Sequence, residues 1–366
     1  LTLPVCRPTG HDRLAQLGLG RAVASIPWSL CVRPVKSSTA GNVPGVIDTM
    51  TAGFDQINRI PWIVGLPILM DLFLWLAPHL SAGPVLHRLV AQLGGLYDSV
   101  ATSGADATTA DQARQALQTF DAAASSFDLM SLLVVNLAGV PSILPPPLPG
   151  SQSIVVDSGL TLAAIVIAME LIGIFLGCVY LGAVAQQVRD GKVGFGRLGR
   201  RVWFYWLSVL GFIGLAVGLC AAASIPIGLA IGLAQLAAPG LATLLWALVV
   251  AVGNVALVLF LIYLFFLLDA IVISEAGPIR AAVTSARVVA NSFWQTVGFI
   301  GIVYLISLGM QQVWMAMSVS PIGTAIAIAA NAYIASGLAA ASMLYYQTRA
   351  ARLPNPRGVV GRVPQA

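Results

Sequence analysis

The chain has 366 residues, 58% of them hydrophobic and only 9% charged, with a formal net charge of +5. Soluble domains carry about 25% charged residues, so an ordinary water-soluble globule is excluded. The positive balance is not read as nucleic-acid affinity, because in a membrane protein the placement of Lys and Arg reports orientation.

Residues 1–44 are rich in Arg, Pro, Gly and Ser, begin at Leu1 and contain no methionine before Met50. Arg21 interrupts the one apolar stretch, Leu14 to Leu30, that would suit a signal peptide. The segment reads as a disordered cytoplasmic tail or a mis-called gene start. From Gly45 to Ile60, the residues Ile47, Met50, Phe54 and Ile57 recur at helical spacing, with Asp48, Asp55 and Arg59 off that face. An amphipathic helix lying in the membrane interface is expected there. The first span is expected at 61–80, with Trp62 and Trp75 as interface anchors and Pro67 as a kink.

Residues 81–158 form a large extramembrane insert with Asp98, Asp106, Asp111, Asp121, Asp128 and Asp157 against only Arg88 and Arg114. Thr109 to Gln112 has the form of a capping box, and the helix it would open aligns Ala113, Leu117, Phe120 and Ala124. Leu129 to Val140 is apolar but too short to span, and the run Pro141 to Pro149 ends it. The insert is expected to be a small extracytoplasmic helical cap on the membrane surface.

Further spans are expected at 159–184, 203–224, 241–274, 296–318 and 322–346. No Asp, Glu, Lys, Arg or His occurs from Val202 to Leu268 or from Val288 to Thr348, and each run exceeds the ~20 apolar residues a spanning helix needs. Continuous runs of this kind indicate helices rather than the alternating segments of a β-barrel. Ile225 to Ala238 is too short for a span and reads as re-entrant or interfacial. The fourth helix would be roughly 50 Å long, so it must tilt, kink or protrude.

The fold class is therefore all-α: a polytopic transmembrane helical bundle of six spans over residues 45–348, with interfacial amphipathic helices and an extracytoplasmic helical insert. A basic cytoplasmic tail, 349–366, carries Arg349, Arg352, Arg357 and Arg362. With both termini in the cytoplasm, seventeen Lys and Arg lie inside and only Arg88 and Arg114 outside, the asymmetry expected of a plasma-membrane protein. A seventh span at 225–238 would put the arginine tail outside. A threefold repeat is a further hypothesis: the stretches ending in Trp62, Trp203 and Trp294 each lead into a span.

Few residues can carry chemistry. Asp71 lies about ten residues into the first span and Glu170 about eleven into the second. An ionised carboxylate at mid-membrane costs ~3 kcal/mol or more, and no Lys or Arg lies at that depth. The two are candidates for a proton or cation site; the plainer reading is a hydrogen bond from each to a neighbouring helix, for instance to Asn254 or Asn331. In Ser274 to Val297, Arg280, Thr284, Arg287 and Asn291 share one helical face, while Ile279, Val283, Ala286, Ala290 and Phe293 share another, as expected of a cytoplasmic interfacial helix that feeds the fifth span. Arg280 and Arg287 are candidate contacts for lipid phosphates; the plainer reading is an elbow joining two spans. The cysteines Cys6, Cys31, Cys178 and Cys220 form no CxxC pair and read as small apolar residues. Gly173–Gly177, Gly214–Gly218 and Gly228–Gly232 have GxxxG spacing and are expected to serve helix packing. There is no P-loop, HExxH or nucleophile elbow, and no metal, cofactor or nucleic-acid partner is implied.

The stretch from Ala270 through Ser274-Glu275-Ala276-Gly277-Pro278 to Asn291-Ser292-Phe293-Trp294 resembles a motif of bacterial six-helix membrane proteins, among them the membrane domain attached to some glycerophosphoryl diester phosphodiesterases. It covers about 45 residues, Asp269 to Gln312. The resemblance implies a six-helix module of accessory role and brings no catalysis, since no phosphodiesterase domain is present and His11, His79 and His87 form no matching cluster. The expected function is a non-enzymatic membrane module that organises lipid or a partner protein, with membrane lipids and a membrane-protein partner or a second copy of the chain as the expected partners; the alternative is a proton- or cation-coupled transporter or channel using Asp71 and Glu170.

Overall fold

A computed structural model of the chain describes residues 44–101, 107–146, 148 and 153–353. The expectations for the N-terminal 43 residues and for the tail beyond Leu353 lie outside the described residues. The rest is an all-α membrane-spanning bundle. Five helices are long and apolar enough to cross a membrane, and a sixth span results if the bent pair Val46–Arg59 and Pro61–Leu76 is one crossing.

Helix α1 (Val46–Arg59) starts where the Asp48 carboxylate accepts the Gly45 N–H at 3.2 Å, and it stops before Pro61. Its buried face, Met50, Gly53 and Ile57, lies on α11 (Pro321–Ala350), not on lipid as the amphipathic pattern suggested. The reason is a pair of close approaches. Gly53 sits against the Ala341 backbone, and Gly337 lies under the Phe54 ring. The Tyr333 hydroxyl donates to Asn58 at 2.9 Å, so the two helices run antiparallel. Ile47, assigned to the apolar face by periodicity, is instead exposed.

The chain then bends by 94° through a 3₁₀ turn (Pro61–Val64) into the short helix α2 (Gly65–Leu76). This span ends four residues before the expected position 80, because His79–Ser81 forms strand β1, which pairs in parallel with β2 (Ser153–Val155). Between them α3 (Gly83–Ala101) and α4 (Ala107–Ser126) pack as a hairpin. The backbone of α4 is already helical at Ala107, so Thr109 lies within the helix rather than capping it.

Helix α5 (Gly159–Asp190) is ended by Gly191 in the left-handed conformation. α6 (Phe195–Ala237) is one 43-residue helix that runs through Pro226. Ile225 to Ala238 is thus a continuation of the third span, not a separate re-entrant piece. Helical hydrogen bonding continues to Ala237, and Pro239 begins α7 (Pro239–Tyr263), which packs back on α6. The expected fourth span is present as Gly240–Ser274, with its regular helix interrupted at Leu264–Phe266 between α7 and α8 (Leu267–Ser274), where Phe266 enters the core. After Glu275, α9 (Pro278–Asn291) leads into α10 (Phe293–Met317) and α11. Elbows precede α2 and α10 but not α6, which is continuous with its basic start, so the threefold pattern is present in only two of its three places.

The main core lies at the end of the bundle that carries the arginines. Phe266, Phe299, Tyr345 and Tyr346 are fully buried there, with the Phe299 and Tyr345 rings stacked at 4.4 Å. Their hydroxyls are satisfied: Tyr345 pairs with Thr296 at 3.2 Å, Tyr346 with Ser274 at 2.9 Å, and Tyr180 donates to Ser336 at 2.9 Å. Buried polar groups cost free energy unless paired in this way.

Candidate functional site

The first notable feature is the segment from Asp128 to Leu144, expected on the membrane surface and found inside the bundle. It leaves the cap at Asp128, whose carboxylate meets His79 Nδ1 at 2.5 Å, accepts the Leu80 N–H at 3.0 Å and caps the 3₁₀ turn Leu129–Leu133 through the Met130 N–H at 3.0 Å. Leu133, Val134, Ala138 and Val140 are buried in the main core. Gly173 and Gly177 of α5 are where the segment touches down: a Cβ at Gly173 would meet Asn136 and the Leu133 carbonyl, and one at Gly177 would overlap the Ala138 carbonyl. Gly177 lies eighteen residues beyond Gly159, about 27 Å along the helix. The segment is a loop that enters the bundle between helices and returns on the side of the acidic cap, the course of a re-entrant loop.

Non-helical backbone at membrane depth persists only where protein or water satisfies its polar groups. Here the loop's own side chains do much of this. Asn136 Nδ2 donates to the Leu132 and Leu133 carbonyls at 3.3 and 3.2 Å, and its Oδ1 accepts the Ala138 N–H at 3.1 Å. Ser142 Oγ accepts the Leu144 N–H at 2.9 Å.

Asp71 completes the set. It is fully buried, takes the Ile143 N–H at 3.2 Å on one oxygen and accepts the Ser142 hydroxyl on the other. Glu170 is partly exposed on α5 and has no hydrogen-bond partner among the described residues. No hydrogen bond joins the two carboxylates, and the partner of Asp71 is the loop, not Asn254 or Asn331. Asn254 instead bonds its own helix, at Val250 O, 2.8 Å away.

The second feature is the arginine-bearing end. Glu275 has φ 49°, a left-handed backbone unusual for a side-chain-bearing residue. Its carboxylate receives Arg189 at 3.1 Å and Arg201 at 3.0 Å, while Asp190 receives Arg197 at 2.7 Å. These pairs pin the α8–α9 elbow to the turn between α5 and α6. On α9 the buried face is Ala281, Thr284, Ser285, Val288 and Val289. Thr284 therefore departs from the polar face assigned by periodicity, and Ile279 and Val283 of the apolar face are exposed. The outward face thus mixes Arg280 and Arg287, neither with a side-chain partner among the described residues, with Ile279, Val283 and, just beyond, Trp294, 82% exposed.

Two buried ionisable groups were missed by sequence reasoning. Asp269 on α8 is buried and accepts the Ser342 hydroxyl at 2.5 Å; its place at the end of a long uncharged run was the available signal. Arg349 belongs to α11, not to a solvated tail. It is buried, stacks 3.3 Å over the Tyr345 ring and leaves Nε and Nη1 without partners. Of the cysteines, Cys178 is buried but Cys220 is exposed. Among the described residues no three His, Cys, Asp or Glu side chains converge as a metal ion would require.

No family model, curated protein or solved structure matches the chain.

Proposed function

We propose that this chain is a non-enzymatic membrane module that holds phospholipid at the cytoplasmic leaflet, with Arg280 and Arg287 as the headgroup contacts. The observation that carries the reading is the outward face of α9, where two guanidinium groups with no side-chain partner among the described residues stand among exposed aliphatic and aromatic side chains. Basic residues near an anionic leaflet are worth about 1 kcal/mol each, and Trp favours the interface. The lopsided distribution of Lys and Arg supports a cytoplasmic position for this end and for both termini. The likeness of the Ala270–Trp294 stretch to accessory six-helix membrane domains agrees with such a role.

Retention of anionic phospholipid by the purified protein, read by native mass spectrometry, tests it. The Arg280→Gln/Arg287→Gln variant is expected to retain at least tenfold less; equal retention contradicts the reading.

A second reading, proton or cation movement, draws support from one observation: a re-entrant loop fastened to a buried carboxylate. It ranks second because both Asp71 oxygens are already taken by the loop. Proton flux in proteoliposomes that disappears in Asp71→Asn and Glu170→Gln would favour it; no flux in the wild type removes it.

A further inference from the structure

A cavity of about 570 Å³ opens between the α6–α7–α8 side of the bundle and α10, lined by Leu137, Phe212, Phe265, Leu268, Ile300 and Tyr304 among others. It exists because α10 packs chiefly on α11 while α7 packs on α6 and α9. Nothing draws the two helices together, and the regular helix is interrupted at Leu264–Phe266 at the same level. The tip of the re-entrant loop, through Leu137, reaches this opening. The lining is almost wholly apolar; the Tyr304 hydroxyl is the exception among its side chains.

We propose that this cleft takes one acyl chain of a glycerophospholipid, a proposal that rests on the lipid-holding reading above. Three observations select that occupant. The walls belong to membrane-spanning segments, where the surrounding solvent is acyl chain. The volume lies in the ~300–1,000 Å³ range of small-ligand sites, whereas a spanning helix ~10 Å across and ~30 Å long would need ~2,000 Å³ or more. A partner helix or a second copy would lie across the mouth of the cleft rather than enter it, and would be seen as protein–protein crosslinks. The cleft is also tied to the arginine-bearing helix. Ser285 of α9 donates to the Tyr263 carbonyl at 2.8 Å, directly before the lining residue Leu264, and Pro278 lies beside Gly211, the neighbour of Phe212. Phosphate at Arg280 or Arg287 thus belongs to the same end of the same site.

The test uses the full chain in nanodiscs containing phosphatidylglycerol with a photoactivatable diazirine near the end of one acyl chain. Peptides holding Leu137, Phe265 and Tyr304 are expected to be labelled at least fivefold more than the more exposed α7 stretch around Leu244. Filling the cleft with Ile300→Trp should remove that excess, and Leu268→Trp gives an independent check if the first variant folds poorly. Even labelling along α6, α7 and α10, an excess that survives both fillings, or protein–protein crosslinks through these residues overturn the cleft. Even labelling with arginine-dependent lipid retention overturns the cleft alone. Cleft labelling with retention indifferent to Arg280 and Arg287 overturns the headgroup reading alone.

Discussion

Two pairs of glycines with the same spacing meet opposite fates in this bundle. Gly173 and Gly177 on α5 lie against the backbone of the re-entrant loop, so close that a side chain at either would collide with it. A Cβ added at Gly228 or Gly232, near the far end of α6, would meet no other segment within 4 Å among the described residues. The difference extends to whole regions. At the arginine-bearing end, α1, α5, α8, α9 and α11 interlock around a buried aromatic cluster; in the α6–α7 hairpin, residues such as Leu229, Leu236 and Leu244 are exposed along its length. Apolar composition takes both regions into the membrane, but only close approach and side-chain interdigitation make one of them a packed core. Lipid is as apolar as leucine, so hydrophobicity alone gives helices no reason to associate.

The largest expected effect that sharpens this contrast is at Gly177. Gly177→Leu forces the Ala138 carbonyl aside and should cost ~3 kcal/mol or more, seen as a large fall in thermal stability in detergent. Next is the loop's anchor. Asp71→Leu strands the Ser142 hydroxyl and the Ile143 N–H inside the bundle, at a cost of about 2 kcal/mol, while Asp71→Asn retains one acceptor and should lose less; denaturant or thermal unfolding of both variants ranks them. Glu275→Gln weakens two partly exposed ion pairs. It should cost ~1 kcal/mol, and the difference from wild type should shrink as salt is raised. At the small end, Gly228→Ala and Gly232→Ala should change stability by less than ~0.5 kcal/mol. An effect at Gly228 as large as that at Gly177 would break the comparison.

Much of the architecture was legible because spanning helices announce themselves locally. The five long apolar helices sit where uncharged runs placed them, and Gly191 and Pro278 mark boundaries that follow from backbone chemistry. What sequence could not give depends on contacts between distant segments. The stretch Leu129 to Val140 looks like a surface piece because it is too short to span; its place inside the bundle is set by Gly173 and Gly177, more than thirty residues later. Asp71 was recognisable as unusual, but its partners Ser142 and Ile143 were not, since no periodicity links residues seventy apart. On α9 the pattern suggested a clean division of polar and apolar faces. Thr284 and Ser285 are buried because the Arg280 and Tyr263 carbonyls receive their hydroxyls at 2.8 Å each, and Ile279 and Val283 face outward, where lipid replaces a protein partner.

If the segment 129–144 lies inside the bundle at membrane depth, held by Asp71 and the α5 glycines, its tip is shielded from water. Spin labels placed singly at Leu137 and at Phe127, in a background with Cys6, Cys31, Cys178 and Cys220 replaced by alanine, measure this. The Leu137 label in bilayers is expected to be relaxed by oxygen and shielded from a water-soluble nickel chelate, with the reverse at Phe127. A Leu137 label as open to the chelate as the Phe127 label would place the loop on the surface, where neither Asp71 nor the glycines could hold it.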